Sequence, residues 1–200
     1  MDKSQRFIRD IKMAKETNLQ LLKTSFMIKD NPFIEQFIKQ IILRTFDQIK
    51  IEAEKHQVCK RKAVGCAILD IDLKEQLITH FTAINGPSGP NNICSGIKGA
   101  CGCSHAEPRA IMKYLKYAKR NGQRGKTILL STFSACVNCA NIIIDSGIID
   151  SVGYQILAEH WAIEPNNAKA MLDRSLIHWN NQELENDIEN KLLKKILYEI

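Results

Sequence analysis

Two short stretches of this 200-residue chain place metal-capable side chains where a helix begins. Ser104-His105-Ala106-Glu107-Pro108 opens a helix predicted over residues 105–120, and Cys136-Val137-Asn138-Cys139 opens one predicted over residues 136–146. Residues three apart in a helix share a face, so Cys136 and Cys139 can point at one ion. A helix and a strand separate them from His105. For all three to act together, two helix starts must become neighbours across the edge of a sheet, and this requirement restricts the fold more than composition does.

The rest of the pattern agrees. Residues 4–28 and 33–57 carry apolar side chains at spacings of three and four, and in the second Phe33, Phe37, Ile41, Ile42, Phe46 and Ile49 form one stripe. Asn31-Pro32 separates these helices by turn chemistry. Residues 63–71 and 76–84 are rich in β-branched side chains and read as two paired strands. A loop of glycine, proline and asparagine covers residues 85–102, and Asn121-Gly122 ends the helix that follows. Strands are predicted over 127–132 and 151–157, a helix over 166–175 and a last strand over 176–179. The tail, residues 180–200, reads as one amphipathic helix with Ile188, Leu192, Leu193, Ile196 and Leu197 on its apolar face. This alternation predicts an α/β fold with helices covering one sheet. The domain reading is an N-terminal helical extension (1–32), a central domain (33–180) and a C-terminal helix (181–200). There are no repeats and no low-complexity linker.

Composition matters chiefly for what it excludes. Hydrophobic residues are 44% and charged residues 25%, close to globular averages, so disorder is not indicated. The longest apolar runs, such as 128–130 and 142–144, fall far short of the roughly 20 residues that span a bilayer. The first residues alternate charges with isolated apolar side chains, unlike a secretory signal, and a cytoplasmic protein is expected. In a reducing compartment, seven cysteines suggest metal or catalysis before disulfides. The net charge of +6 suits an anionic small ligand or nucleic acid, and equally a solvated lysine surface. An aromatic content of 6%, with no stripe of aromatic and basic residues, speaks against a polynucleotide groove.

His105, Cys136 and Cys139 offer three ligands, and Glu107 stays uncommitted. Catalytic zinc keeps three protein ligands and leaves the fourth position to water, whose pKa it lowers towards about 7. Helix starts favour negative charge and so help hold the two cysteines as thiolates. Two plainer readings compete. Ser104-x-x-Glu107 satisfies the capping-box pattern, and a lone Cys-x-x-Cys suits a redox pair.

His-Ala-Glu followed by Cys-x-x-Cys is the zinc deaminase pattern. With "CKRKAVGCAI", "INGPSG", "HAEPRAI" and "STFSACVNCANIIIDSGI", the chain resembles the zinc-dependent cytidine/deoxycytidylate deaminase superfamily, and most of all its deoxycytidylate (dCMP) deaminase branch, over roughly residues 33–180. The resemblance implies a three-layer α/β/α fold: a mixed sheet of about five strands flanked by helices, with extra helices at both ends of the chain. It implies zinc held by His105, Cys136 and Cys139, with Glu107 as proton carrier in the conversion of dCMP to dUMP and ammonia. It implies that Ala106 presents backbone groups to the base and that Asn85, beside Gly86, holds the sugar hydroxyl; a simple Asn-Gly turn remains the alternative. Two positions depart from the pattern: Ala135 stands where a proline is usual, and Arg109 where an asparagine is usual. Arg109, with Lys60, Arg61 and Lys62 at the entrance to the first strand, is then a candidate for the phosphate contact. Homo-oligomers are common in the family, and dCTP and dTTP are effectors in the branch.

Cys94, Cys101 and Cys103, with Cys59 as fourth ligand, offer a closed site for a second, structural zinc. Some members of the branch are similar here. Free thiols are the other reading. Cys66 reads as a core residue, His80 as packed or solvated, and Trp161, His160 and Trp179 as core or pocket lining. The competing functions are deamination of another base, nucleoside or purine nucleotide, polynucleotide editing, and a zinc-stabilised binding module without catalysis.

Overall fold

The computed structural model describes residues 31–75, 77–89, 93–97, 101–122, 125–156, 168–187 and 190–198. The chain divides into two units, Met1–Asn31 and Pro32–Ile200. The helix expected over residues 4–28 lies outside the described residues, as do His160 and Trp161.

Helix α1 is Pro32–Lys55, followed by β1 (Gly65–Asp72), β2 (Leu77–Ile84), β3 (Gly86–Pro87) and β4 (Cys103–Ser104). Then come α2 (Ala106–Asn121), β5 (Lys126–Phe133), α3 (Val137–Ser146), β6 (Ser151–Ile156), α4 (Ala168–Ser175), β7 (Ile177–Asn180), α5 (Asn181–Glu185) and α6 (Lys191–Tyr198). The five-stranded sheet has the order β2-β1-β5-β6-β7. β1 is antiparallel to both β2 and β5, whereas β5–β6 and β6–β7 are parallel. The sheet is therefore mixed, as the resemblance implied.

Every residue of β1 is buried, and the period of two sorts its side chains between two layers. Cys66 and Ile68 face a cluster that includes Ala110, Ile111 and Tyr114 of α2 and Ala140 and Ile143 of α3. Ala67, Leu69 and Ile71 face another, with Ile38, Ile42 and Phe46 of α1 and Leu193, Ile196 and Leu197 of α6. Helices thus cover both faces of the sheet in three layers. Burying each such aliphatic side chain is worth about 1.5–3 kcal/mol.

That strand buries two aspartates, Asp70 inside it and Asp72 at its end. Asp70 accepts hydrogen bonds from Tyr114 Oη (3.0 Å) and from the Gly125 amide (3.0 Å). A buried carboxylate without such donors would be strongly destabilising, so the pair also fixes α2 over β1. Burial, reinforced by Asp70, pushes the Tyr114 phenol pKa well up.

The structure corrects two details. The tail is not one helix: α5 and α6 are separated around Asn190, which has φ 55°. An Asn180 capping box starts α5, and Leu193, Ile196 and Leu197 enter the core. Ile188 lies outside the described residues. The loop over 85–102 also contains order that its composition did not suggest, because β3 and β4 pair antiparallel, Gly86 with Ser104 and Pro87 with Cys103. Cys66 is a core residue, as expected, and Trp179 is fully buried, edge-on to Phe46 with ring centroids 5.9 Å apart.

Gly153 pairs with Trp179 across β6 and β7. A Cβ there would lie 2.5 Å from the indole ring. Overpacking of this kind costs about 1–3 kcal/mol, so Gly153→Ala is expected to lower the melting temperature by about 2–10 °C. An unchanged melting curve by circular dichroism would contradict this packing.

Candidate active site

Helices α2 and α3 pack on the same face of the sheet, in contact through small side chains. Ala106, Ala110 and Ala140 are all fully buried there. Each helix is preceded by an extended residue in the capping position: His105 (φ −70°, ψ 161°) for α2 and Cys136 (φ −73°, ψ 168°) for α3. A capping side chain ordinarily accepts from a first-turn amide. Neither of these does, and both turn towards each other instead. His105 Nδ1 lies 3.5 Å from Cys136 Sγ and 3.2 Å from Cys139 Sγ, and all the ligand atoms fall within 4.8 Å of one another.

These separations fit zinc. With bonds of roughly 2.0–2.3 Å, a tetrahedral ion spaces its nitrogen and sulfur ligands about 3.5 Å apart. The donor set, one imidazole and two thiols, is also the chemistry zinc prefers.

Glu107 is 3% exposed, and its Oε2 has no hydrogen-bond partner. The capping-box reading fails here, because the helix has no side-chain cap. Burial pushes the carboxyl pKa up. An orphaned buried carboxyl oxygen is costly, and beside a metal-binding triad it is a group held ready for a ligand.

Without metal, the hydrogen bond from Cys139 pulls the Cys136 thiol pKa down to about 4, with His105 adding to it. The same bond pushes Cys139 far up. Bonding to Cys136 raises His105 to about 8. At pH 7, then, Cys136 is a thiolate, while His105 and Cys139 hold protons that a metal must displace.

The other candidate residues surround this site in two ways. Asn85 is buried, and its amide clasps the chain entering β1, with Nδ2 donating to Lys62 O (2.8 Å) and Oδ1 accepting from the Val64 amide (2.9 Å). Arg109 donates from Nη1 to Ile84 O (3.0 Å) and from Nη2 to Pro87 O (3.4 Å). It straps the Asn85–Gly86 turn from outside. A Cβ on Gly86 would lie 2.6 Å from Val58 and 3.0 Å from Arg109, so a larger residue there would have to displace those side chains. Lys60 and Arg61 are exposed, and Lys62 sits over the Phe133 ring, 3.2 Å from its centroid. His80 is half-buried in β2, where burial lowers its pKa. Sequence reasoning missed the strap made by Arg109 and the β3–β4 ribbon. Two-residue strands are too short to show a period, and no pattern announces an arginine whose partners are carbonyls.

The remaining cysteines also converge. Cys59, Cys94, Cys101 and Cys103 offer sulfurs all within 4.8 Å of one another.

A triad of candidate zinc ligands and a buried glutamate, at the starts of two helices packed on a mixed five-stranded sheet, suit a zinc-binding deaminase domain. Residues 41–155 match the model of the cytidine and deoxycytidylate deaminase zinc-binding region, more than half of the chain, and the chain belongs to that family. Among solved structures it is similar to the dCMP deaminase from the cyanophage S-TIM5 in complex with dCMP and dUMP. That likeness has 21% identity, 70% of this chain and 96% of that one covered, and a TM-score of 0.51. The apo form of the same phage protein matches at 22% identity, with 70% and 97% covered and a TM-score of 0.50. A guanine deaminase from Nitrosomonas europaea matches at 15% identity, with 86% and 96% covered and a TM-score of 0.46. No curated protein matches the chain.

Two outcomes follow for the metal. Cys136→Ser is expected to lose one zinc equivalent by elemental analysis, and full retention would refute ligation by this thiol. Loading the metal-free triad at pH 7 is expected to release about two protons, one from His105 and one from Cys139. Calorimetry in buffers of different ionisation enthalpy reads that number directly.

Proposed function

We propose that the chain catalyses the hydrolytic deamination of dCMP, giving dUMP and ammonia and so supplying thymidylate synthesis, with His105, Cys136 and Cys139 as zinc ligands and Glu107 as the proton carrier. The observation that carries this reading is the buried Glu107 carboxyl beside the triad, whose Oε2 has no hydrogen-bond partner. Zinc held by His105, Cys136 and Cys139 would supply an acidified water. Glu107 accepts a proton from that water and passes it to N3 of the pyrimidine as the C4–O bond forms. It then carries a proton to the amino group as the C4–N bond breaks and ammonia leaves. Its burial suits the task, because a carboxyl with a raised pKa can both take and return a proton near neutral pH.

For the substrate, the reading rests on the dCMP branch resemblance and on the S-TIM5 structure, which holds dCMP and dUMP. In this reading Ala106 offers backbone groups to the base, Asn85 and Gly86 shape the sugar side, and the exposed Lys60 and Arg61 are candidates to meet a phosphate. A cytoplasmic homo-oligomer responsive to dCTP and dTTP belongs to the same proposal. A second reading, a base or nucleoside without phosphate, is favoured by one observation: Arg109 is engaged by the Ile84 and Pro87 carbonyls.

Glu107→Ala is expected to lower ammonia release by at least about 10²-fold while zinc stays bound; retained turnover would contradict the assigned role. A panel of dCMP, deoxycytidine, guanine and adenosine separates the two readings. Turnover of deoxycytidine equal to that of dCMP would exclude a phosphate contact.

A further inference from the structure

Two residues in the first turn of α2 serve different surroundings. Glu107 is buried beside the triad, whereas Arg109 is half-buried and reaches the turn that follows β2. Positions i and i+2 of a helix do not face each other, so one helical turn carries both roles on separate sides. The guanidinium takes the two carbonyls that bracket the Asn85–Gly86 turn, Ile84 O through Nη1 (3.0 Å) and Pro87 O through Nη2 (3.4 Å). Ile84 ends β2, an edge strand of the sheet, and Pro87 lies in the short β3–β4 ribbon. Both ends of the turn are thereby fastened to the helix that carries Glu107. A charged fork of this kind is stronger and more directional than a single neutral bond. Arg109 also packs on the turn itself, its Nη1 3.0 Å from where a Gly86 Cβ would stand.

Asn85 sits inside that strapped turn. Its backbone amide donates to Val64 O (3.0 Å), while its side chain donates to Lys62 O (2.8 Å) and accepts from the Val64 amide (2.9 Å). These bonds fix the direction of the side chain. A primary amide has two N–H groups and an oxygen with two lone pairs, so among the described residues one donor and one acceptor site of Asn85 stay available to a ligand.

A substrate lying between the triad and Asn85 touches groups borne by two different elements, α2 and the end of β2. A misplacement of about 1 Å between such groups can cost as much as about 100-fold. We propose that Arg109 is a positioning residue: by holding the carbonyls on both sides of Asn85 and Gly86 it sets the sugar-side turn against the helix of His105 and Glu107, and through Asn85 it determines affinity for a sugar-bearing pyrimidine without meeting a phosphate. This rests on the functional reading above, in which the substrate carries a sugar that Asn85 meets.

The test compares the full-length parent with Arg109→Ala on dCMP and on deoxycytidine, the latter as substrate or as competitor. The variant is expected to keep its zinc and to bind both compounds about 10- to 100-fold more weakly, with kcat changing far less, the pattern of lost uniform binding. Amide exchange is expected to rise at Val64 and Asn85 and to stay unchanged at Ile68 inside β1, which also reports that the variant is folded. Should alanine not fold, Arg109→Gln, whose amide can meet one carbonyl, is expected to show the same pattern with a smaller rise. Weakened binding of dCMP alone would make Arg109 a phosphate contact and overturn the proposal. A fall in kcat at unchanged KM, the mark of a merely structural loss, overturns it too, as does unchanged affinity for both compounds. Unchanged exchange at Val64 and Asn85 overturns the route through the turn. A parent that deaminates neither compound sinks the functional reading itself, and the proposal with it, before any variant is made.

Discussion

The first turn of a helix carries amides with no partner inside the helix, and the side chain in the capping position normally satisfies one of them. In α2 and α3 that position is held by His105 and Cys136; His105 makes no bond to its own helix, and within its helix the Cys136 sulfur meets only Cys139, itself a member of the triad. Freed from that bond, both reach across to the neighbouring helix start, where Cys139 completes the set. The site is therefore made by two helices that begin at the same place on one sheet face. Its geometry depends on how closely those helices approach, which Ala106, Ala110 and Ala140 permit.

That approach is enforced by burial on both sides of β1. Its alternate residues feed two separate apolar clusters, so the strand cannot slip by one position without exchanging its two faces. The Asp70–Tyr114 bond pins α2 to the same strand. Glu107, the second residue of α2, is consequently carried into a dry position, with its Oε2 left without a partner. Its raised pKa follows from placement: the helix has nowhere else to put the side chain.

Around this rigid part, polar side chains hold backbone in place of other side chains. Asn85 clasps the chain entering β1, and Arg109 straps the turn after β2. The β3–β4 ribbon then links that turn to His105 and to the cysteine cluster. A ribbon of two residues per strand has no core of its own, so its order depends on what is anchored at its ends.

Much of this was legible in the sequence. The β-branched richness of 63–71 and 76–84, and the runs bounded by Gly122 and Gly147, placed the strands and helices of the sheet, because strands and helix ends favour different residue types. The His105, Glu107, Cys136 and Cys139 constellation was legible for a related reason, since metal chemistry tolerates few residue types. What only the tertiary structure decided were the features without a period: the break at Asn190 in the tail, the short β3–β4 ribbon, and the attachment of Arg109 to carbonyls rather than to solvent or ligand. A sequence records which side chains are apolar and which can bind metal. It does not record which backbone groups will lie within reach of a polar side chain, because that reach exists only once distant segments have packed.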